Sequence, residues 1–259
     1  MRRTILRDLR AVLFDLDGTV YEHQQLIPGA AETIAHLRTQ GLIIAFLTNT
    51  TSRGPQTLAK ELVTLGIPAS EKDVFNPTAI AASFLRAQSA TAYLLVQPPA
   101  LADFDGVKVS GESPDYVVVG DLGNHWTYQR LNHAFRLIHQ GARLIALGMT
   151  RYYRAADGLW LDVGPIIAAL QYATGVEPLV LGKPDPAFFR QVLSELGVES
   201  AQALMVGDDV QTDIAGGQAA CLKTALVKTG KFEVKDLHLG IQPDLVLDSI
   251  TALRDFEIA

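Results

Sequence analysis

Strand-length runs of apolar residues alternate along this chain with stretches in which apolar positions recur every three to four residues. That alternation predicts an α/β fold, a parallel sheet flanked by helices. AVLFDL reads as a first buried strand and is followed by a helix over 30–39 that Gly41 ends, glycine being the residue that most readily leaves a helix in the left-handed conformation. LIIAFLTN is the next strand. The loop TTSRG leads into a helix over about 55–65 that opens on Pro55, a residue suited to a first helical turn.

The middle of the chain repeats the alternation on its own account. A helix over 78–87, strands in AYLLV and YVVVGD, a helix over 128–139 and a strand in RLIALG follow one another. The aromatic and charged stretch RYYRAADGLWLDVGP is expected to be a loop, and a helix over 165–173 comes after it. EPLVLGKP, a helix over 186–196, ALMVGDDVQTDIAGG, KTALVKTG and PDLVLDSI then restore the first pattern. The expected organisation is a core of residues 1–76 and 176–259 interrupted by an inserted α/β domain over 77–175.

Composition narrows the partners. In 259 residues, 48% are hydrophobic and 19% charged, as in ordinary globular proteins. A net charge of −6 argues against nucleic acid or an anionic membrane as the main partner. One cysteine, Cys221, leaves no internal disulfide framework and suits a reducing cytoplasm. Charges break up the opening MRRTILRDLR, which does not read as a secretory leader, and no apolar run reaches the roughly 18 residues of a membrane span. A soluble cytoplasmic protein is the expectation.

The chemistry lies just past the apolar runs, because open α/β sheets bind ligands outside the carboxyl ends of their strands. AVLF runs into Asp15 and Asp17, LIIAFL into Thr48 and Asn49, EPLVLG into Lys183, and ALMVG into Asp208 and Asp209 with Asp213 close behind. If these four strands are parallel neighbours, carboxylates, an ammonium and small donors converge on one pocket. Two carboxylates two positions apart repel each other unless a cation or a proton lies between them. Phosphoryl transfer uses such a set: Mg²⁺ neutralises the phosphate ester and the attacking carboxylate while lysine and hydroxyl donors hold the remaining oxygens. A carboxylate nucleophile can form an aspartyl-phosphate, and a second carboxylate can serve as acid and then base.

DLDGT, Thr48-Asn49, Lys183 in GKP, and GDDVQTD resemble, in order and spacing, the four motifs of the haloacid dehalogenase (HAD)-like superfamily of hydrolases. The size of the insert, with DLDGTVY, TNTTSR and RYYRAADGL, is similar to the nitrophenylphosphatase-like branch with a large α/β cap (subfamily IIA). GDDVQTDIAGGQAAC and LVKTGKF are most similar to that branch's phospholysine phosphohistidine inorganic pyrophosphate phosphatase group. The resemblance implies a Rossmann-like core with an inserted cap, and a Mg²⁺-dependent phosphatase that acts on a small phosphorylated metabolite through an aspartyl-phosphate. Pyrophosphatase or phosphoamidase activity falls within the same range. It implies Asp15 as nucleophile and metal ligand, and Asp17 as acid/base that gives its backbone carbonyl to the metal. Thr48 and Asn49 would bind phosphoryl oxygens, and Lys183 would stabilise both the phosphate and Asp15. Asp208 would be the third protein ligand, with Asp209 or Asp213 orienting the metal's waters or Lys183 from behind. A cap-mediated homodimer is also implied. The chain departs from the branch at Thr19, where a small aliphatic residue is common, and at LDVGP, where a glycine-proline-glycine turn is usual.

Another reading of the same pocket is a non-catalytic phosphate-ligand or interaction module, which a missing nucleophile or lysine would favour; both are present. A dinucleotide-binding dehydrogenase is disfavoured because no G-x-G-x-x-G follows the first strand. Cys221 is expected to be a buried small residue; His23 follows the first motif, which would allow a place near the cleft, but the expectation is a surface position. Trp126 and Trp160 read as packing residues. Arg151, Tyr152, Tyr153 and Arg154, in the 149–164 stretch, are either recognition residues or a solvated cap edge.

Overall fold

The computed structural model describes residues 8–22, 25–155 and 158–256. In chain order the elements are β1 (Ala11–Asp15), β2 (Tyr21–Glu22), β3 (Gln25–Leu26), α1 (Ala30–Thr39), β4 (Ile43–Leu47), α2 (Pro55–Thr64) and β5 (Val74–Phe75). Next come α3 (Pro77–Ala87), β6 (Thr91–Leu95), β7 (Lys108–Val109), β8 (Tyr116–Val119), α4 (Tyr128–His139), β9 (Arg143–Ala146), β10 (Tyr152–Ala155), β11 (Gly158–Leu161), α5 (Val163–Thr174) and β12 (Leu179–Val180). The last are α6 (Pro186–Leu196), β13 (Ala203–Gly207), α7 (Gly216–Ala219), β14 (Lys223–Val227) and β15 (Leu245–Leu247). The chain folds into two compact units. One takes the residues up to Thr48, Pro55–Phe75 and those from Lys183 onward; the other takes Asn49–Gly54 and Asn76–Gly182.

The first unit is built on a six-stranded sheet in the order β15-β14-β13-β1-β4-β5, parallel throughout. β1 and β13 are buried at every residue, as befits strands covered by helices on both faces. Phe14 and Phe46, with ring centroids 6.5 Å apart, pack among Leu16, Ile34, Leu37 and Leu58 on one face. From β1 the chain goes outward through β4 and β5, then returns to lay β13, β14 and β15 on the other side. The order therefore reverses between β1 and β13, the place where open α/β sheets bind ligands. Register fixes what meets there: Asp15 is level with Leu47, and Phe14 with Val206, so Asp15, Thr48 and Asp208 leave the sheet at one edge.

The second unit carries its own parallel sheet, β12-β9-β8-β6-β7, with α4 and α5 packed over Val117, Val119 and Leu144. Sequence and helix starts agree closely here. Asn76 caps α3 ahead of Pro77, and Thr127 caps α4. Asp162, the departure in LDVGP, accepts a hydrogen bond from the Val163 N–H at 2.7 Å and caps α5.

Two expectations need correction. EPLVLG is not a strand of the first sheet: Leu179–Val180 pairs with Ile145 and Ala146 in the second, and the Leu181 N–H extends that ladder to the Ala146 carbonyl. The stretch 149–164 is not all loop, since β10 and β11 pair antiparallel within it. His23 lies outside the described residues.

Candidate active site

β1 ends at Asp15, and the chain then turns back on itself. The N–H groups of Val20 and Tyr21 both point to the Leu16 carbonyl, and the Gly18 N–H donates to the Tyr21 carbonyl at 2.7 Å. The turn leaves Asp15 buried and exposes the side chain of Asp17. Gly18 has φ of +88°, and a methyl group there would lie 2.3 Å from Oδ2 of Asp208. Only glycine supplies both that dihedral and that closeness.

β13 ends at Gly207 and delivers Asp208, 1% exposed. The next residues, Val210–Ala215, form a π-helical turn that runs into α7. Asp209 caps this turn, its Oδ1 accepting from the N–H groups of Gln211 and Thr212 at 2.9 and 3.0 Å. The wide turn swings Asp213 back against the strand end: a methyl group on Gly207 would lie 2.2 Å from Oδ2 of Asp213. Lys183 arrives on the loop before α6, whose cap is Asp185. Its Nζ donates to Oδ1 of Asp15 at 2.5 Å and to Oδ1 of Asp213 at 2.7 Å, and its side chain is only 3% exposed. The Lys183–Pro184 peptide is cis.

Asp15, Asp208 and Asp213 each offer a carboxylate oxygen within 4.8 Å of the others. Two of the three buried carboxylates bond to one buried ammonium, and with all three ionised the cluster carries two negative charges in excess. Burial pushes Asp15 up to about 6 against the pull of Lys183, and Asp213 up to about 7 against the same lysine. Burial also raises Asp208, against the Lys231 N–H. Desolvation works against the Lys183 ammonium, but the charges of Asp15 and Asp213 outweigh it and hold its pKa above the ordinary value. Hard oxygen donors with an uncompensated charge of two suit a divalent cation; Asp15 and Asp208 could hold it, with Asp213 engaged by Lys183 and the Asp209 N–H.

The structure thus brings Asp15, Lys183, Asp208 and Asp213 together, with Asp209 adjacent and Asp17 at the exposed turn. Thr48 is buried at the end of β4, its N–H donating to the Phe75 carbonyl at 3.1 Å. Asn49 falls in the 49–54 segment of the second unit, where Gly182 packs near its Oδ1. Cys221 is exposed, not buried: it closes α7 in a left-handed turn with φ of 63°. Trp126 packs against the core of the second unit. Tyr152 is 54% exposed, and Arg151 is exposed as well. One set of groups went unread as site residues. Thr229 donates from its hydroxyl to the Gly18 carbonyl at 2.6 Å, and the Lys231 N–H donates to Oδ2 of Asp208 at 2.6 Å. The tight LVKTGKF stretch carried that information, but a backbone donor has no side-chain mark.

Comparison with known proteins agrees with this architecture. A haloacid dehalogenase-like hydrolase family model matches residues 12–110, and a HAD-hydrolase-like model matches residues 180–253. The chain is 42% identical over 230 residues to haloacid dehalogenase-like hydrolase domain-containing protein 2 of Homo sapiens, covering 89% of this chain and 88% of that one. It is 37% identical over 239 residues to the phospholysine phosphohistidine inorganic pyrophosphate phosphatase of Homo sapiens, covering 90% and 88%. The crystal structure of 4-nitrophenylphosphatase from Thermotoga maritima superposes with a TM-score of 0.87 at 29% identity, over 98% of this chain and 99% of that one. The chain belongs to the haloacid dehalogenase-like hydrolase family. Within it, the chain groups with the capped, nitrophenylphosphatase-type phosphatases. No helix among the described residues is long and apolar enough to cross a membrane.

Proposed function

We propose that this hydrolase is a Mg²⁺-dependent phosphatase that removes the phosphoryl group of a small metabolite by way of an aspartyl-phosphate on Asp15. The observation that carries the reading is the pair of bonds from Lys183 to Asp15 and Asp213 beside Asp208. Lys183, bonded to the Asp15 carboxylate, keeps its charge near the incoming phosphate. A bound Mg²⁺ would offset the repulsion between the Asp15 carboxylate and the phosphate dianion. An oxygen of Asp15 forms a bond to phosphorus as the ester O–P bond breaks, and Asp17 gives its proton to the departing oxygen. Asp17 then takes a proton from water, whose oxygen attacks phosphorus. The Asp15–phosphate bond breaks, free phosphate leaves, and both carboxyl groups return to their starting state. Thr48 and Asn49 bind phosphoryl oxygens in this reading, and residues 77–175 act as the cap that sets substrate choice.

The names of the relatives, which speak of phosphoamino acids, inorganic pyrophosphate and nitrophenyl phosphate, set the range of substrates to assay. A cytosolic location and a dimer through the inserted domain belong to the same reading, and light scattering tests the dimer. The direct experiment is hydrolysis of an aryl phosphate by purified protein with Mg²⁺ and with chelator. Turnover that chelation abolishes and Mg²⁺ restores is expected. Phosphate binding without turnover would instead mark a non-catalytic module.

A further inference from the structure

The turn at Thr229, Gly230 and Lys231 grips the Asp208 carboxylate on one side only. Oδ2 accepts the Lys231 N–H at 2.6 Å. The same oxygen is wedged between two glycines, since a methyl on Gly230 would lie 2.2 Å from it and a methyl on Gly18 2.3 Å from it. Gly230 itself has φ of +61°. Oδ1, by contrast, meets the Thr19 hydroxyl at a long 3.5 Å. The turn is held in place from two directions. The Thr229 hydroxyl is bonded to the Gly18 carbonyl at 2.6 Å, and Phe232 and Ile241 pack on Val210, Ile214 and Leu226.

We propose that the 229–231 turn is a metal-selectivity clamp. By hydrogen-bonding Oδ2 and crowding it between Gly18 and Gly230, it favours single-oxygen binding of the cation by Asp208 and so disfavours ions that take carboxylates two oxygens at a time. Mg²⁺ demands a compact octahedron and accepts single-oxygen ligands, whereas Ca²⁺ takes more oxygens at longer distances, often two from one carboxylate. Thr229, Gly230 and the Lys231 peptide are positioning groups that act through Asp208. The Lys231 side chain, 73% exposed with its Nζ 4.0 Å from Asp209, is not part of the clamp.

The inference rests on Asp208 being a ligand, and the test separates the two claims. Titrations of Mg²⁺ and of Ca²⁺ into the metal-free protein, read by calorimetry and by the shift in thermal unfolding, give the ratio of their affinities. Gly230→Ala is expected to weaken Mg²⁺ binding by about tenfold, the scale seen when a partner behind a ligand is lost, while Ca²⁺ binding holds or tightens. Thr229→Val, which keeps side-chain shape, narrows the ratio in the same direction and decides the matter if Gly230→Ala does not fold. Thr229→Ser and Lys231→Ala, which keep the hydroxyl and the peptide N–H, retain the wild-type ratio. Equal weakening of both ions, or an unchanged ratio in Thr229→Val, overturns the clamp. A wild-type protein that binds no Mg²⁺ overturns the reading of Asp208 beneath it.

Discussion

Lys183 and Asp15 are separated by 168 positions in the chain, yet the ammonium of one lies 2.5 Å from a carboxylate oxygen of the other, in a place where both are almost fully buried. Asp213 takes a second bond from the same ammonium at 2.7 Å. Removing the lysine would leave three buried carboxylates without a cation. Lys183→Met is expected to abolish phosphatase turnover and to cost about 3–5 kcal/mol in the metal-free protein, the range for breaking one side of a buried ion pair. Urea unfolding with and without Mg²⁺ checks this; an unchanged midpoint contradicts it.

Asp17 stands apart from that buried cluster, at an exposed turn held by backbone bonds to Leu16 and Tyr21. Asp17→Asn should therefore fold with an unaltered unfolding temperature and lose about 10²–10⁴ in kcat, the usual contribution of a general acid–base group. A matching loss of stability would mean that the residue supports the fold instead.

The pH dependence follows from the raised carboxylates. Asp15 and Asp213 titrate at about 6 and about 7 in the folded metal-free protein, against an ordinary 3.8. Between roughly pH 4 and 7 the folded state thus binds more protons than the unfolded one, and its stability falls as pH rises through that window. A divalent cation binds the deprotonated carboxylates, so its stabilising effect grows with pH. The rise in unfolding temperature on adding Mg²⁺ is expected to be larger at about pH 8 than at about pH 5. Equal shifts at both would contradict the assignment.

Gly207 offers a steric test. A methyl group there would overlap Asp213, with contacts of 2.2–2.4 Å to its carboxylate and Cβ. Gly207→Ala must displace Asp213 or the strand end, at a cost of about 1–3 kcal/mol for overpacking. Turnover should fall sharply, because the lysine loses its bond to Asp213. Wild-type kinetics would contradict the importance of that second bond.

The alternation of apolar runs and helical periodicity was enough to find the two α/β units, and the helices over 128–139 and 186–196 coincide with α4 and α6. The acidic strand ends stood out as a set of four in order; any one alone reads equally well as a turn or a helix cap, the use that Asp162 and Asp185 serve. EPLVLG departs from its expected sheet because a short apolar run has no address: two residues pair with β9, and nothing local chooses between sheets. Cys221 misled for a related reason. Its small, apolar character suggests burial, but the turn after α7 places it outward at positive φ. The grip of the Lys231 N–H on Asp208 comes from a peptide group 23 positions away, and every residue but proline carries that donor.

Whether Asp15 accepts the phosphoryl group is settled most directly by rapid acid quench of the enzyme turning over an aryl phosphate with Mg²⁺, followed by peptide mass spectrometry. One phosphoryl group on the peptide that contains Asp15, absent in Asp15→Asn and in chelated samples, is the predicted result. An unmodified Asp15 peptide in an enzyme whose Asp15→Asn variant still turns over would contradict it.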